Sequence, residues 1–175
     1  MSNIIHLPVY PHVRQYLGKH YGSCLYLHER HYACSLLKLL LKNQNHKSER
    51  SAKESQLGAV YPFVLGKGVK EEYGQYLSRH DIINFSKTIE NLILKELFKW
   101  VNHPFCPEDK IDFAIKEFIN FYDFSEDDFP FSQLKRWFFR ERIRDHARKN
   151  HHIAPPSELR PLFFIDHNQY QPTLF

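Results

Sequence analysis

From Ile82 to Leu97 the apolar residues Ile82, Phe85, Ile89, Leu92, Ile93 and Leu97 recur at helical spacing and fall on one face. Ser78 and Asp81 stand just ahead of them in the Ser-x-x-Asp arrangement of a capping box, so a long helix is expected over 82–101 as the spine of the core. A second helical pattern carries Ile111, Ile115, Phe118, Ile119 and Tyr122 inward. Its start is expected at Pro107, where Glu108 and Asp109 sit beside the positive end of the helix dipole. DFSEDDFP, 123–130, breaks that helix, and Pro130 opens a last one running to about 149.

The N-terminal part is less regular. PHVRQYLGKHY, 11–21, reads as a short helix between Pro11 and the stop at Gly22, and YACSLLKLLLKN, 32–43, as a strongly apolar one. CLYLH, 24–28, and VYPFVLG, 60–66, are short β-prone runs that can pair, with Pro62 assigning the second to a sheet edge. GKG, 66–68, reads as a tight turn, and NQNHKSERSAKESQ, 43–56, lacks apolar periodicity and reads as a loop. From 151 to 175, Pro155, Pro156, Pro161 and Pro172 mark an extended tail. The expected fold is mainly α: α+β with at most a small two-stranded sheet, a helical bundle with a helix-turn-helix-like C-terminal half. Three regions are expected: 1–75, 76–150 and the tail 151–175.

Composition sharpens this picture in two places. Aromatic residues make up 15% of the 175 residues, enough to fill a core and leave some for a docking surface. Cys24, Cys34 and Cys106 are odd in number with no Cys-x-x-Cys, which fits free thiols in a reducing cytoplasm. The longest apolar run, LLKLLL at 36–41, is too short to cross a bilayer, so no membrane partner is expected.

Net charge is only +4, but its distribution is uneven. Residues 107–128 hold eight acids against two lysines; residues 135–149 hold seven bases against two acids. On a helical wheel Arg136, Arg140, Arg144 and Arg148 follow one another at four-residue steps, in a ridge opposite Phe131, Leu134 and Phe138. The step along such a ridge is about 6 Å, comparable with phosphate separations along a strand, and the guanidinium fork suits phosphate. The expected nucleic-acid contacts are Arg136, Arg140, Arg144 and Arg148, with Lys135, Arg142 and Lys149 at the margins. The bland alternatives are a solvated face with local ion pairs among Glu141, Arg144 and Asp145, or a ridge neutralised by the DFSEDD acids.

The chain ends QPTLF. Gln171, Leu174 and Phe175 resemble the glutamine, aliphatic and terminal aromatic residues of the short peptide by which bacterial polymerases and repair proteins bind the sliding clamp. Pro172 departs from that family's preference for an aliphatic residue. The resemblance covers five residues and implies a sliding clamp, or another protein, as a partner of the tail.

Other constellations are weaker. Cys24, His28, His31 and Cys34 lie within eleven residues, too close to wrap one ion tetrahedrally, so no metal and no cofactor is expected. Glycine loops for phosphate and nucleophile elbows are missing, and no histidine has a neighbour in sequence that names it as a base. No catalytic residue is assigned and no enzyme activity is expected. The leading expectation is a cytoplasmic nucleic-acid-binding accessory or regulatory protein of replication, repair or transcription, such as a factor of a mobile element, contacting DNA or RNA. Alternatives are a protein-interaction module and a metal-dependent nuclease built on Glu126, Asp127 and Asp128.

Overall fold

The computed structural model describes residues 3–27, 31–42, 57–103 and 110–153. The elements run β1 (Asn3–Val9), α1 (Pro11–Tyr21), β2 (Leu25–Tyr26), α2 (Tyr32–Leu40), β3 (Ala59–Leu65), α3 (Lys67–Tyr73), α4 (Arg79–Val101), α5 (Ile111–Tyr122) and α6 (Phe131–Ile153). The fold is mainly helical with a small sheet, α+β, as the hydrophobic pattern implies.

The sheet has three strands in the order β1-β3-β2, one more than expected. β1 lies antiparallel to β3, from Asn3 opposite Leu65 to Val9 opposite Ala59. β2 pairs in parallel, Leu25 with Phe63 and Tyr26 with Val64. Tyr61, Phe63 and Leu65 turn to the core together with Leu7 and Val9, the period-two pattern of a sheet covered on one face.

Pro62 therefore stands in the central strand, not at an edge. Val64 gives its carbonyl to Leu27, on the β2 side, at 3.2 Å. Pro62, two residues back, faces the same side at a level that β2, starting at Leu25, does not reach. The donor that proline lacks would have had no partner there.

Helix boundaries follow local chemistry. At α4 the capping box is complete: the Ser78 hydroxyl accepts the Asp81 N–H at 3.2 Å, and the Asp81 carboxylate accepts the Ser78 N–H at 3.3 Å. Gly22, at φ 77°, ends α1 in a conformation glycine adopts without a Cβ clash. α2 stops at Leu40, earlier than its apolar run suggests, because Lys42 leaves the helix to pair its backbone with Tyr76 at 2.9 and 3.1 Å. α3 replaces the expected turn after Gly66; it buries no residue, so it left no periodic signal. Eight residues, 123–130, separate α5 from α6, about twice the connection of a helix-turn-helix. The proposed start at Pro107, the loop 43–56 and most of the tail lie outside the described residues.

Two compact units divide the chain, 1–138 and 139–175. The first contains the sheet, α1 to α5 and the opening turns of α6. Its core joins Val13 and Leu17 of α1, Phe63 of β3, Phe85, Ile89 and Ile93 of α4, Ile115 and Phe118 of α5, and Leu134 and Phe138. In the second unit residues 139–153 are helical. Among the described residues no helix is long and apolar enough to cross a membrane.

Candidate functional site

In the second unit Arg140, Arg144 and Arg148 are exposed, the latter two with 63% and 69% of their side chains accessible. Both reach back to one carboxylate: Glu141 accepts from Arg144 at 3.2 Å and from Arg148 at 3.4 Å. Lys149 pairs with Asp145 at 2.7 Å, and that contact holds the Asp145 carboxyl below the usual carboxylate range. Arg142 is half-buried and engaged in an interaction of its own. Arg140 has no ion pair among the described residues.

In the first unit Arg136 is likewise exposed and without an ion pair among the described residues. Lys135 is held by Asp112 at 2.6 Å, bridging α6 to α5. Of the DFSEDD acids, Glu126 and Asp128 are occupied elsewhere in the first unit. Glu126 accepts the Phe131 N–H at 3.1 and 3.2 Å, capping the first turn of α6 from its own loop. Asp123 ends α5 in the left-handed conformation at φ 56°. The tail residues Gln171, Leu174 and Phe175 lie outside the described residues.

A different group of residues, of which the sequence marked only Asp127 and Asp128, converges at the start of α1. His12 is only 5% exposed. Its ring stacks on Phe129, with centroids 4.5 Å apart and planes 9° from parallel, and on Tyr10 at 5.5 Å. Tyr10 provides no side-chain cap for α1. Asp128, 116 residues away, does so instead: its Oδ2 accepts both the backbone N–H and the Nδ1 of His12, each at 2.6 Å. One carboxylate thus satisfies an open donor of the helix and orients the imidazole. An ionised carboxylate only accepts, so the hydrogen is assigned to Nδ1, and the far nitrogen, Nε2, is a bare acceptor in the neutral ring. Nε2 is buried without a hydrogen-bond partner among the described residues.

Beside this dyad lies a pocket of about 480 Å³ lined by Tyr10, His12, Glu90, Asp127, Asp128 and Gln133. Burial pushes the Glu90 carboxyl above the usual carboxylate range; His12 and Lys87 oppose the shift and Asp128 adds to it. Among the described residues no three His, Cys, Asp or Glu side chains are grouped to hold a metal ion.

Further along α1 is a polar network of another kind. Tyr16 donates to Glu96 at 2.9 Å, Tyr122 donates to the other oxygen of the same carboxylate, and His20 meets the Tyr122 hydroxyl at 2.9 Å. Burial, with Glu96 adding to it, raises both phenols above their ordinary range. These phenols stay protonated and donate, which makes the network a brace between α1, α4 and α5.

His12, Glu90 and Asp128 could not be found from spacing, since they come from three distant segments. The one local hint is a Pro11-His12 helix start with no acid in its first turn, which leaves open donors to be met from elsewhere. No protein-family model, no curated protein and no solved structure matches the chain.

Proposed function

We propose that the protein binds nucleic acid through the arginine-rich helix of its second unit, with Arg140, Arg144 and Arg148 on phosphates and Arg142 and Lys149 at the margins. Lys135 and Arg136, in the first unit, are further cationic candidates. The observation that carries this reading is the exposure of three arginines at four-residue intervals, two of them sharing one acid, Glu141. Exposed ion pairs are weak, so a phosphate can take over either guanidinium at little cost. Affinity would come mostly from released counterions and fall steeply with salt. An accessory role in replication, repair or transcription, on a mobile element or otherwise, is the setting such a contact suits, and the tail peptide would tether the protein to a sliding clamp.

The test is a titration of the full chain against mixed-sequence duplex and single-stranded DNA at two salt concentrations. We expect binding at low salt that weakens as salt rises, and a salt slope flattened by about 2 when Arg140 and Arg144 are both changed to Ala. Binding with an unchanged slope in that double variant rules the helix out as the contact.

A second reading, a protein-interaction module, is favoured by Trp100 and Phe121, both exposed and in contact with ring centroids 5.4 Å apart. In that case DNA leaves the protein unbound at low salt, and Trp100→Ala weakens capture of a protein partner.

A further inference from the structure

We infer that the pocket beside His12 binds a small organic cation, an ammonium or guanidinium group carried on a short alkyl chain. The inference rests on observations separate from the basic helix and goes beyond nucleic-acid binding.

The first observation is the kind of atom the lining offers. Glu90, Asp127 and Asp128 contribute carboxylates, which accept and do not donate when ionised. His12 has its backbone N–H and its Nδ1 committed to Asp128, so neither is left to donate to a ligand. The Tyr10 hydroxyl and the Gln133 amide can accept or donate. A ligand that satisfies this wall must be rich in donors, and ammonium and guanidinium are the common organic groups that donate only.

The second observation is charge. The lining holds three carboxyl groups against one imidazole and neither Lys nor Arg. Asp128 is shared with His12, but the Glu90 and Asp127 carboxyls have no hydrogen bond or ion pair among the described residues. Glu90 is half-buried, where an ionised carboxylate is costly, and nearby Lys87 does not offset that cost. A bound cation would relieve that cost. Tyr10, stacked on His12, adds an aromatic wall of the sort that attracts organic cations.

The third observation is dimension. The acids are spread around about 480 Å³ and are not gathered about one point, and no metal-holding group exists among the described residues. A bare divalent ion needs its ligands within about 2–2.6 Å. A cation several atoms long, with donors at both ends, can reach acids that are spread apart.

The experiment is calorimetric titration of the full-length protein with putrescine and with agmatine, using 1,4-butanediol as the uncharged control and Mn²⁺ as the metal control. We expect saturable binding of at least one of the two cations and none of the diol. Glu90→Gln should weaken it about tenfold, the loss of one charge-assisted hydrogen bond. Asp127→Asn, a change at an exposed residue, tests the site should the first variant fold poorly, and should weaken binding by a smaller factor. No saturable binding of either amine at millimolar concentration overturns the inference. So does binding of equal strength in both variants, or tight uptake of Mn²⁺ that excludes the amines.

Discussion

The two units handle charge in opposite ways. In the first, carboxylates are tied to the chain's own donors over long sequence distances: Asp128 to His12, Asp81 to Lys42 at 2.8 Å, Glu96 to Tyr16, and Asp112 to Lys135. In the second, Glu141 holds Arg144 and Arg148 and Asp145 holds Lys149, all within seven residues, and Arg140, Arg144, Arg148 and Lys149 are exposed. Polar groups committed inward make a structure specific, because each loses a fixed partner when disturbed. Polar groups left outward keep their freedom for another molecule. The contrast puts the inward-tied carboxylates and the His12 pocket in the first unit and the exposed arginines in the second.

The first unit breaks most readily at its core. Phe118 is fully buried among Tyr122, Phe124 and Trp100, so Phe118→Ala should cost about 3–5 kcal/mol in urea unfolding. Next in size is Asp128→Ala, which strands two donors of His12 at the start of α1; a loss on the order of 1–3 kcal/mol is expected. A near-neutral Asp128 variant would show that the dyad does not anchor the helix.

A pair of carboxyls within that unit should respond to pH with opposite sign. Although burial alone would raise it, Asp81 is held below its ordinary range by hydrogen bonds from Lys42 and Ser78. Its stabilisation is present above the unfolded value of about 3.9 and is lost as pH falls through the lower folded value. Glu90 is shifted upward by burial. Its contribution is complete below the unfolded value of about 4.3 and is lost as pH rises through the folded value. Hence Asp81→Asn should destabilise the protein near neutral pH, whereas Glu90→Gln should stabilise it there by a fraction of the Phe118 effect. Both differences should shrink in acid. Thermal melts of the two variants from pH 3 to 7 check this, and a Glu90→Gln variant less stable than the parent at neutral pH contradicts it.

How much of this the sequence showed depends on the range of the interaction. α1, α4 and the start of α6 were legible because Pro11, the Ser78–Asp81 box, the Ile82–Leu97 stripe and Pro130 act within a few residues. β1 was missed because Asn3–Val9 has a Pro8 and becomes a strand only by pairing with β3, more than fifty residues on. α3 was missed for the opposite reason, having no buried face. The arginines were legible as a stripe, and the local pair of Glu141 with Arg144 from their spacing; that Glu141 also grips Arg148, seven residues on, was not, since a wheel shows which side a residue occupies and not which neighbour it grips. Of the pocket, only Asp127 and Asp128 were legible, as acids of one loop; their neighbours were not, because Tyr10, Glu90 and Asp128 meet only through the packing of α1, α4 and the 123–130 loop.

The smallest structural change gives the sharpest functional reading. Glu141 is 21% exposed and holds Arg144 and Arg148 at once. Exposed ion pairs contribute about 0.2–1 kcal/mol, so Glu141→Gln should hardly alter the unfolding midpoint. Its effect on polyanion binding should be larger, and favourable, because two guanidinium groups lose a competitor for phosphate and a negative charge leaves the surface. If the helix is merely a solvated face, the variant binds DNA no better than the parent. If the arginines meet phosphate, it binds more tightly at low salt, and the advantage fades as salt screens the charges. A gain in affinity without a gain in stability would separate an interface from an ordinary charged helix, which removing arginines alone does not do, since that also changes net charge and helix propensity.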